Sequence, residues 1–303
     1  MKKRKLGTSD LLVSEIGLGC MSLGTDYSKA QDVVEAALEE GINYFDTADL
    51  YDFGENEKIV GQVLKNVRED VVIATKAGNR WTAAKDSWTW DPSKAYIKEA
   101  VKQSLKRLNT DYIDLYQLHG GTIEDNIDET IDAFEELKDE GYIKYYGISS
   151  IRPNVIREYA QKSNIVSVMM QYSILDRRPE EEVLPLLHDK NISVVTRGTV
   201  AKGLLSDKML EKASPKGYLD YSYEDLEEVL PLLKEKLALT RSLAEVAIQY
   251  NLAHPAVASV VAGASTPEQI RENARAASSA FLPPEEIDLI KAITKANKYD
   301  QHR

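Results

Sequence analysis

Short apolar runs recur along the chain, each followed by polar or turn-forming residues. Between them lie longer segments in which apolar residues return every third or fourth position. The runs are Gly17–Met21, Ile42–Asp46, Val71–Thr75, Tyr112–Leu118, Tyr145–Ile148, Val166–Met170, Ser193–Thr196 and Ala258–Val261. Near-continuous apolar character over so few residues is what a strand buried on both faces requires. The periodic segments predict helices over Ser28–Glu40, Glu55–Lys65, Pro92–Arg107, Asn126–Glu140, Pro153–Lys162, Pro179–Asp189, Tyr223–Ala253 (two helices), Pro267–Ala277 and Pro284–Lys298. Pro92 and Pro153 stand at or near first helical positions, and Gly41 and Gly141 stand where C-terminal caps belong. At the start, Arg4–Leu6 and Leu12–Ile16 flank Gly7-Thr8-Ser9-Asp10 and predict a β-hairpin.

Strict strand and helix alternation with short links implies a parallel sheet, and eight such units favour closure into a barrel. The expected fold is therefore α/β, a (β/α)8 TIM barrel with an N-terminal β-hairpin and an extra C-terminal helix. No Pro/Gly/Ser linker divides the chain, so residues 1–303 are expected to form one domain. The longest irregular stretch, Ser206 to Tyr223, follows the seventh strand and is expected to lie over the active face as a loop that shapes substrate or covers cofactor.

Composition narrows the function. With 43% hydrophobic and 29% charged residues, the chain has ample material for a core. A net charge of −11, with no basic block beyond Lys2-Lys3-Arg4-Lys5, argues against a nucleic-acid partner. No stretch suits a bilayer and no secretory signal opens the chain, so a cytoplasmic protein without a membrane partner is expected. The single cysteine, Cys20, permits no intrachain disulfide. His119, His188, His254 and His302 lack neighbours at metal-ligand spacing, so no metal is expected. Three nucleotide or hydrolase motifs fail. Gly17-Leu18-Gly19-Cys20-Met21-Ser22-Leu23-Gly24 has its third glycine too late for a Rossmann fingerprint. Gly198 and Gly203 have phosphate-loop spacing, but Leu204 stands where the lysine must be. No G-x-S-x-G elbow is present.

A barrel of this kind collects its chemistry at the C-terminal ends of its strands. Those ends are polar: Asp46-Thr47-Ala48-Asp49-Leu50-Tyr51 on the second, Thr75-Lys76 on the third, Gln117-Leu118-His119 on the fourth, Ser149-Ser150 on the fifth, Gln171-Tyr172 on the sixth, Thr196-Arg197 on the seventh and Gly263-Ala264-Ser265 on the eighth. Asp46, Tyr51, Lys76 and His119 would then share one mouth. A free tyrosine, with a pKa of about 10, is a sluggish acid near neutrality and needs a cation beside it. Lys76 supplies that cation, Asp46 holds it, and His119 donates a hydrogen bond to a substrate oxygen, a set suited to protonating a carbonyl oxygen as hydride reaches its carbon.

These stretches resemble the aldo-keto reductases, above all their bacterial members. The resemblance rests on Gly41 to Tyr51, Ala74-Thr75-Lys76, Ser104 to Tyr116, His119, Gly147-Ile148-Ser149 and Gly263 to Asn273, and it spans almost the whole chain. It implies a catalytic tetrad of Asp46, Tyr51, Lys76 and His119, with Tyr51 as general acid, acting on a small-molecule carbonyl substrate. It also implies cofactor contacts. Gly19, Cys20, Met21 and Asp46 lie near the nicotinamide and ribose, and Ser149 and Gln171 lie on the carboxamide. Arg197 lies at the nicotinamide, Gly198, Thr199, Val200, Gly203 and Leu204 follow the pyrophosphate, and Gly263, Ser265, Gln269 and Asn273 the adenosine end. Three departures stand out. Arg197 replaces the aromatic residue that stacks on nicotinamide, and Ser150 replaces an asparagine. Gly263 and Gln269 stand where many members place a lysine and arginine pair around a 2′-phosphate, with Arg271 or Arg275 as substitutes. The expected cofactor is NADP(H), with NAD(H) accepted. Oligomeric state is not addressed by these residues.

Each residue also has a plainer role when taken singly: His119 as a structural histidine, Lys76 as a surface charge, Asp46 and Tyr51 as a capped loop, Cys20 as packing under the cofactor. Two rival functions follow. One is a Schiff-base lyase using Lys76, and the other a nicotinamide-binding regulatory subunit with little turnover. Trp81, Trp88 and Trp90, after the third strand, are read either as an apolar lid over the carbonyl or as ordinary loop packing.

Overall fold

The apolar runs pair because each offers the same solution to one problem: backbone groups that leave water must find partners, and a closed parallel ring leaves no edge unpaired. The computed structural model describes all 303 residues. In chain order the elements are β1 (Lys3–Lys5), β2 (Leu12–Ser14), β3 (Ile16–Gly19), α1 (Tyr27–Glu39), β4 (Tyr44–Asp46), α2 (Glu55–Leu64), β5 (Val72–Ala77), β6 (Asn79–Trp81), β7 (Trp88–Trp90), α3 (Lys94–Leu108), β8 (Ile113–Leu118), α4 (Ile127–Asp139), β9 (Ile143–Ser149), α5 (Pro153–Lys162), β10 (Ser167–Gln171), α6 (Val183–Asp189), β11 (Ser193–Arg197), α7 (Tyr223–Leu237), α8 (Leu243–Ala253), β12 (Val257–Gly263), α9 (Pro267–Ser278) and α10 (Pro284–Ile293). Strands β3, β4, β5, β8, β9, β10, β11 and β12 follow one another around a closed barrel, all parallel, with β12 returning to β3. The fold is the (β/α)8 barrel.

The hairpin β1–β2 seats Leu6, Leu11 and Val13 against Tyr44, Val72, Leu115, Val166 and Val195, sealing one end of the barrel with apolar side chains. The opposite end holds Asp46, Lys76 and His119, at or just beyond the C-terminal ends of β4, β5 and β8. Helices α7 and α10 pack on each other outside the ring. No helix is long and apolar enough to cross a membrane.

Many boundaries shift by a residue or two from expectation, and in four places the local reason is clear. The first barrel strand starts at Ile16, which leaves the hairpin, and stops at Gly19, because Cys20–Leu23 winds into a 3-10 turn. Pro92 lies outside its helix: Ser93 Oγ accepts from Tyr96 N at 3.3 Å and caps α3 one residue later. The segment from Pro179 splits into a turn at Arg178–Glu180 and α6, since the Glu180 carboxylate is drawn to Arg177 at 3.0 Å and to the Tyr172 hydroxyl at 2.9 Å. The last helix ends at Ile293 because Thr294 Oγ1 donates back to Ile290 O at 2.7 Å while Arg177 takes the Thr294 carbonyl. One element was not anticipated: β6 and β7 pair antiparallel after β5, with Trp81 opposite Trp88.

Candidate active site

Lys76, near the end of β5, has side-chain exposure of 1%. Its ammonium donates to Asp46 Oδ1 at 2.6 Å, Thr47 O at 2.7 Å and, at the longer distance of 3.4 Å, the Tyr51 hydroxyl. Burial works against a charge here, but the Asp46 carboxylate and the Tyr51 hydroxyl outweigh it and hold the Lys76 pKa above the ordinary lysine value. Burial pushes the Asp46 carboxyl upward while Lys76 opposes it. With three acceptors around one ammonium, the pair is a charged Lys76–Asp46 ion pair. A protonated amine in a sealed cage is not the free nucleophile that a Schiff base needs, which argues against the lyase reading.

Tyr51 opens a 3-10 turn in which Asp52 (φ 48°) and Phe53 (φ 50°) both take the left-handed conformation that non-glycine residues avoid. The tyrosine ring meets the His119 ring edge-on, with centroids 6.0 Å apart. His119 follows β8; its N–H donates to Ala77 O at 2.7 Å and its carbonyl accepts from Asn79 Nδ2 at 3.2 Å, so its backbone is bolted to the strand beside it. Burial, then the Lys76 and Arg197 charges, push the imidazole pKa down to about 3. The ring is neutral near pH 7. Its Nδ1 is buried without a partner. An orphaned N–H is the costlier defect, which puts the proton on Nε2, the nitrogen open to the cavity.

Behind these groups lies a layer of side chains that the sequence reading did not single out. Asn56 accepts from Thr47 Oγ1 at 2.7 Å and donates to Cys20 O at 2.8 Å. Glu57 accepts from Thr75 Oγ1 at 2.6 Å and from Arg107 at 2.6 Å. Both acceptors sit on α2 and are fully buried, so α2 braces the residues next to Asp46 and Lys76. A signal was present: Asn56 lies three and four residues before Ile59 and Val60, on the helix face that is otherwise apolar.

Tyr51 and His119 face a cavity of about 690 Å3, whose lining also includes Met21, Leu50, Trp88, Trp90, Ser149, Arg152 and Arg197. Met21, Ser149 and Arg197 thus gather with the tetrad. Gly19 pairs in register with Asp46 on one side and Gly263 on the other. Gln171 lies next to Arg197, whose guanidinium donates to Gln171 Oε1 at 3.1 Å; Gln171 in turn donates to Asp176 at 2.8 Å and the Tyr218 hydroxyl at 3.3 Å. Through Tyr218 the long loop after β11 reaches this mouth. Cys20 is fully buried, with its thiol pKa raised by burial. Leu204 and Thr199 are also buried, the latter 3.4 Å from both Thr196 and Asn251 side chains. Gly198 and Gly203, both left-handed, and Val200 form the turn between them. At the far end Ser265 N donates to Gln269 Oε1 at 2.8 Å, at the start of α9, with Asn273 one turn along. Arg271 lies 3.6 Å from the exposed Glu39 carboxylate of α1; Arg275 has no carboxylate partner.

The tryptophans part company. Trp90 is fixed by Asp125, whose carboxylate oxygens accept from Nε1 at 3.0 and 3.1 Å, and it lies over Gly78, where a Cβ would come within 2.6 Å of the ring. Trp88, 51% exposed, lines the same cavity. Trp81 does not: it packs edge-on to Phe53 with centroids 6.0 Å apart, beside Arg107. A lid of three tryptophans is therefore corrected to a wall of two.

The sequence profile of the Aldo/keto reductase family matches residues 15–295. The uncharacterized oxidoreductase YqkF of Bacillus subtilis (strain 168) is 62% identical, over all of both chains. The NADH-specific methylglyoxal reductase of Escherichia coli (strain K12) is 34% identical over 91% of this chain and 93% of its own. Among solved structures, the holo form of aldo-keto reductase AKR11C1 from Bacillus halodurans superposes with a TM-score of 0.94 at 60% identity, covering 100% of this chain and 99% of the other.

Proposed function

The chain belongs to the aldo/keto reductase family of oxidoreductases acting on carbonyls with nicotinamide cofactors, and on that premise we propose that residues 1–303 form one cytoplasmic catalytic unit that reduces aldehydes or ketones to alcohols, with NADPH preferred over NADH and Tyr51 as proton donor. The carrying observation is the Tyr51 hydroxyl within 3.4 Å of the buried Lys76 ammonium, on the wall of the cavity that His119 also faces.

The residues present suit a dinucleotide. The cavity is large enough for a nicotinamide riboside, and Ser149, Gln171 and Arg197 offer polar groups at its edge. The turn from Gly198 to Leu204 and the start of α9 would hold the phosphates and adenosine, the helix N-terminus favouring negative charge. The bound cofactor supplies hydride to the carbonyl carbon. The protein does the rest: His119 Nε2–H orients the carbonyl oxygen, Tyr51 delivers the proton to that oxygen, and Lys76 stands where the phenol's departing proton leaves negative charge. Asp46 keeps Lys76 charged and in place. Arg275, free of carboxylate partners, and Lys212, packed beside Gly203, support the phosphate-bearing dinucleotide.

The test is loss of reduced-nicotinamide absorbance with a panel of aldehydes and ketones and both cofactors. A higher kcat/KM with NADPH is expected. Binding of cofactor with turnover at background for every carbonyl would favour the regulatory-subunit reading, and a higher kcat/KM with NADH would reverse the cofactor assignment.

A further inference from the structure

The charged side chains that line the catalytic cavity are both arginines, Arg152 and Arg197; no Asp or Glu is among its walls. In a protein of net charge −11 this is a local reversal of sign. It is sharpened by what the other arginines do. Except for Arg275, every arginine outside this cavity forms an ion pair with a carboxylate, and Arg152 and Arg197 form none. Guanidinium groups without a carboxylate partner are the exception in this molecule, and two of them, the half-buried Arg152 and the exposed Arg197, face one hollow.

Their remaining partners separate them. Arg197 donates to Gln171 Oε1 and lies at the end of β11, beside the turn that would carry the cofactor's phosphates. Arg152 lies after β9, on the side of Trp88, Trp90 and Thr122. Its guanidinium has a single acceptor in the protein, the Gly121 carbonyl, which tethers one end of the fork and leaves the other N–H groups unused. A planar cation fixed at one edge, with free donors at the other, matches a carboxylate geometrically. The surrounding wall of Leu50, Trp88, Trp90 and Ile151 is apolar.

We propose that Arg152 forms an anion subsite for substrate, and that the carbonyl compounds reduced here carry an apolar body and a carboxylate remote from the reacting carbon. This rests on the carbonyl-reductase reading above. The reaction itself is unchanged: hydride adds to the carbonyl carbon, the Tyr51 proton to its oxygen, an alcohol forms, and the carboxylate leaves as it entered.

The experiment compares 4-formylbenzoate with its methyl ester, two aldehydes of the same ring, using reduced dinucleotide and the whole chain; the ester carbonyl withdraws electrons and the carboxylate does not, so electronics alone would favour the ester. The acid is expected to have a kcat/KM about tenfold higher, the size of one charge-assisted contact. Arg152→Gln should bring the ratio close to one, mainly through the KM of the acid, and Arg152→Lys should retain part of the preference; a merely structural arginine would shift both aldehydes alike. A ratio near one in the unaltered protein, or a ratio that Arg152→Gln leaves in place, would overturn the anion subsite alone. Turnover of neither aldehyde nor any other carbonyl would overturn the reductase reading beneath it.

Discussion

Lys76 and Asp46 form a 2.6 Å ion pair from which water is almost wholly shut out on both sides, so that breaking this one contact tests stability and the proposed chemistry together. Removing one partner of a buried pair strands the other charge, which costs about 3–5 kcal/mol. Lys76→Met should therefore unfold at lower urea and lose roughly 10²–10⁴ in kcat, the range of a missing acid-base element. Adding Asp46→Asn to that variant removes the stranded charge. The double variant is expected to regain part of the stability and none of the activity, and recovery of both would separate the pair from the mechanism.

Tyr51→Phe keeps the ring that meets His119 and deletes only the hydroxyl facing Lys76. Aldehyde reduction should fall by roughly 10²–10⁴ while binding of the dinucleotide, followed by quenching of tryptophan fluorescence, stays within about twofold. Turnover comparable to the parent would remove Tyr51 from the reaction.

His119 gives the protein a pH signature. In the unfolded chain an imidazole takes its proton as pH falls through about 6.5, whereas in the folded protein burial and the two nearby cations delay this until about 3. Between those values the unfolded state binds more protons, so this group's contribution to stability is intact above pH ~6.5, declines as pH drops toward ~3 and levels below it. His119→Asn removes that contribution. Urea midpoints measured from pH ~7 down to ~4 should fall less steeply in the variant than in the parent; parallel curves would mean that the imidazole titrates normally.

The barrel and the gathering of Asp46, Tyr51, Lys76 and His119 were legible in the sequence because both depend on local signals: apolar runs of strand length, and polar residues at their ends. Asp46 and Lys76 had to meet once β4 and β5 were neighbours in a parallel sheet, and they do. What could not be read depends on contact between distant segments. Gly61 is an unremarkable residue in the sequence, yet a Cβ there would strike the Leu108 carbonyl, so α2 and α3 approach as closely as they do only because it is glycine. The Asn56 and Glu57 brace was missed for the same reason, since its partners, Thr47, Thr75 and Arg107, lie on other elements. Arg271 and Arg275 look interchangeable as phosphate ligands in the sequence; the packing of α9 beside α1 brings Arg271 to 3.6 Å from Glu39, while Arg275 meets no carboxylate.

Trp90 and Trp81 test whether the wall facing the tetrad is specific. The two residues stand at opposite ends of one small hairpin, Trp81 paired across from Trp88 and Trp90 across from Asn79. Their surroundings differ: Trp90 borders the catalytic cavity and is held there by Asp125, while Trp81 lies against Phe53 and Arg107, in a separate hollow behind Asp49. If carbonyl substrates lie against Trp90, its removal sacrifices aromatic contact area worth about 1–2 kcal/mol and frees Gly78 from the ring above it. Trp90→Ala should raise the KM for aromatic aldehydes about tenfold, with a smaller effect on kcat. Trp81→Ala, which removes as large a ring from the same hairpin, should leave KM within about twofold and act mainly on thermal stability. Equal effects of the two substitutions on KM would mean that the hairpin as a whole, and not the cavity-facing ring, sets substrate affinity.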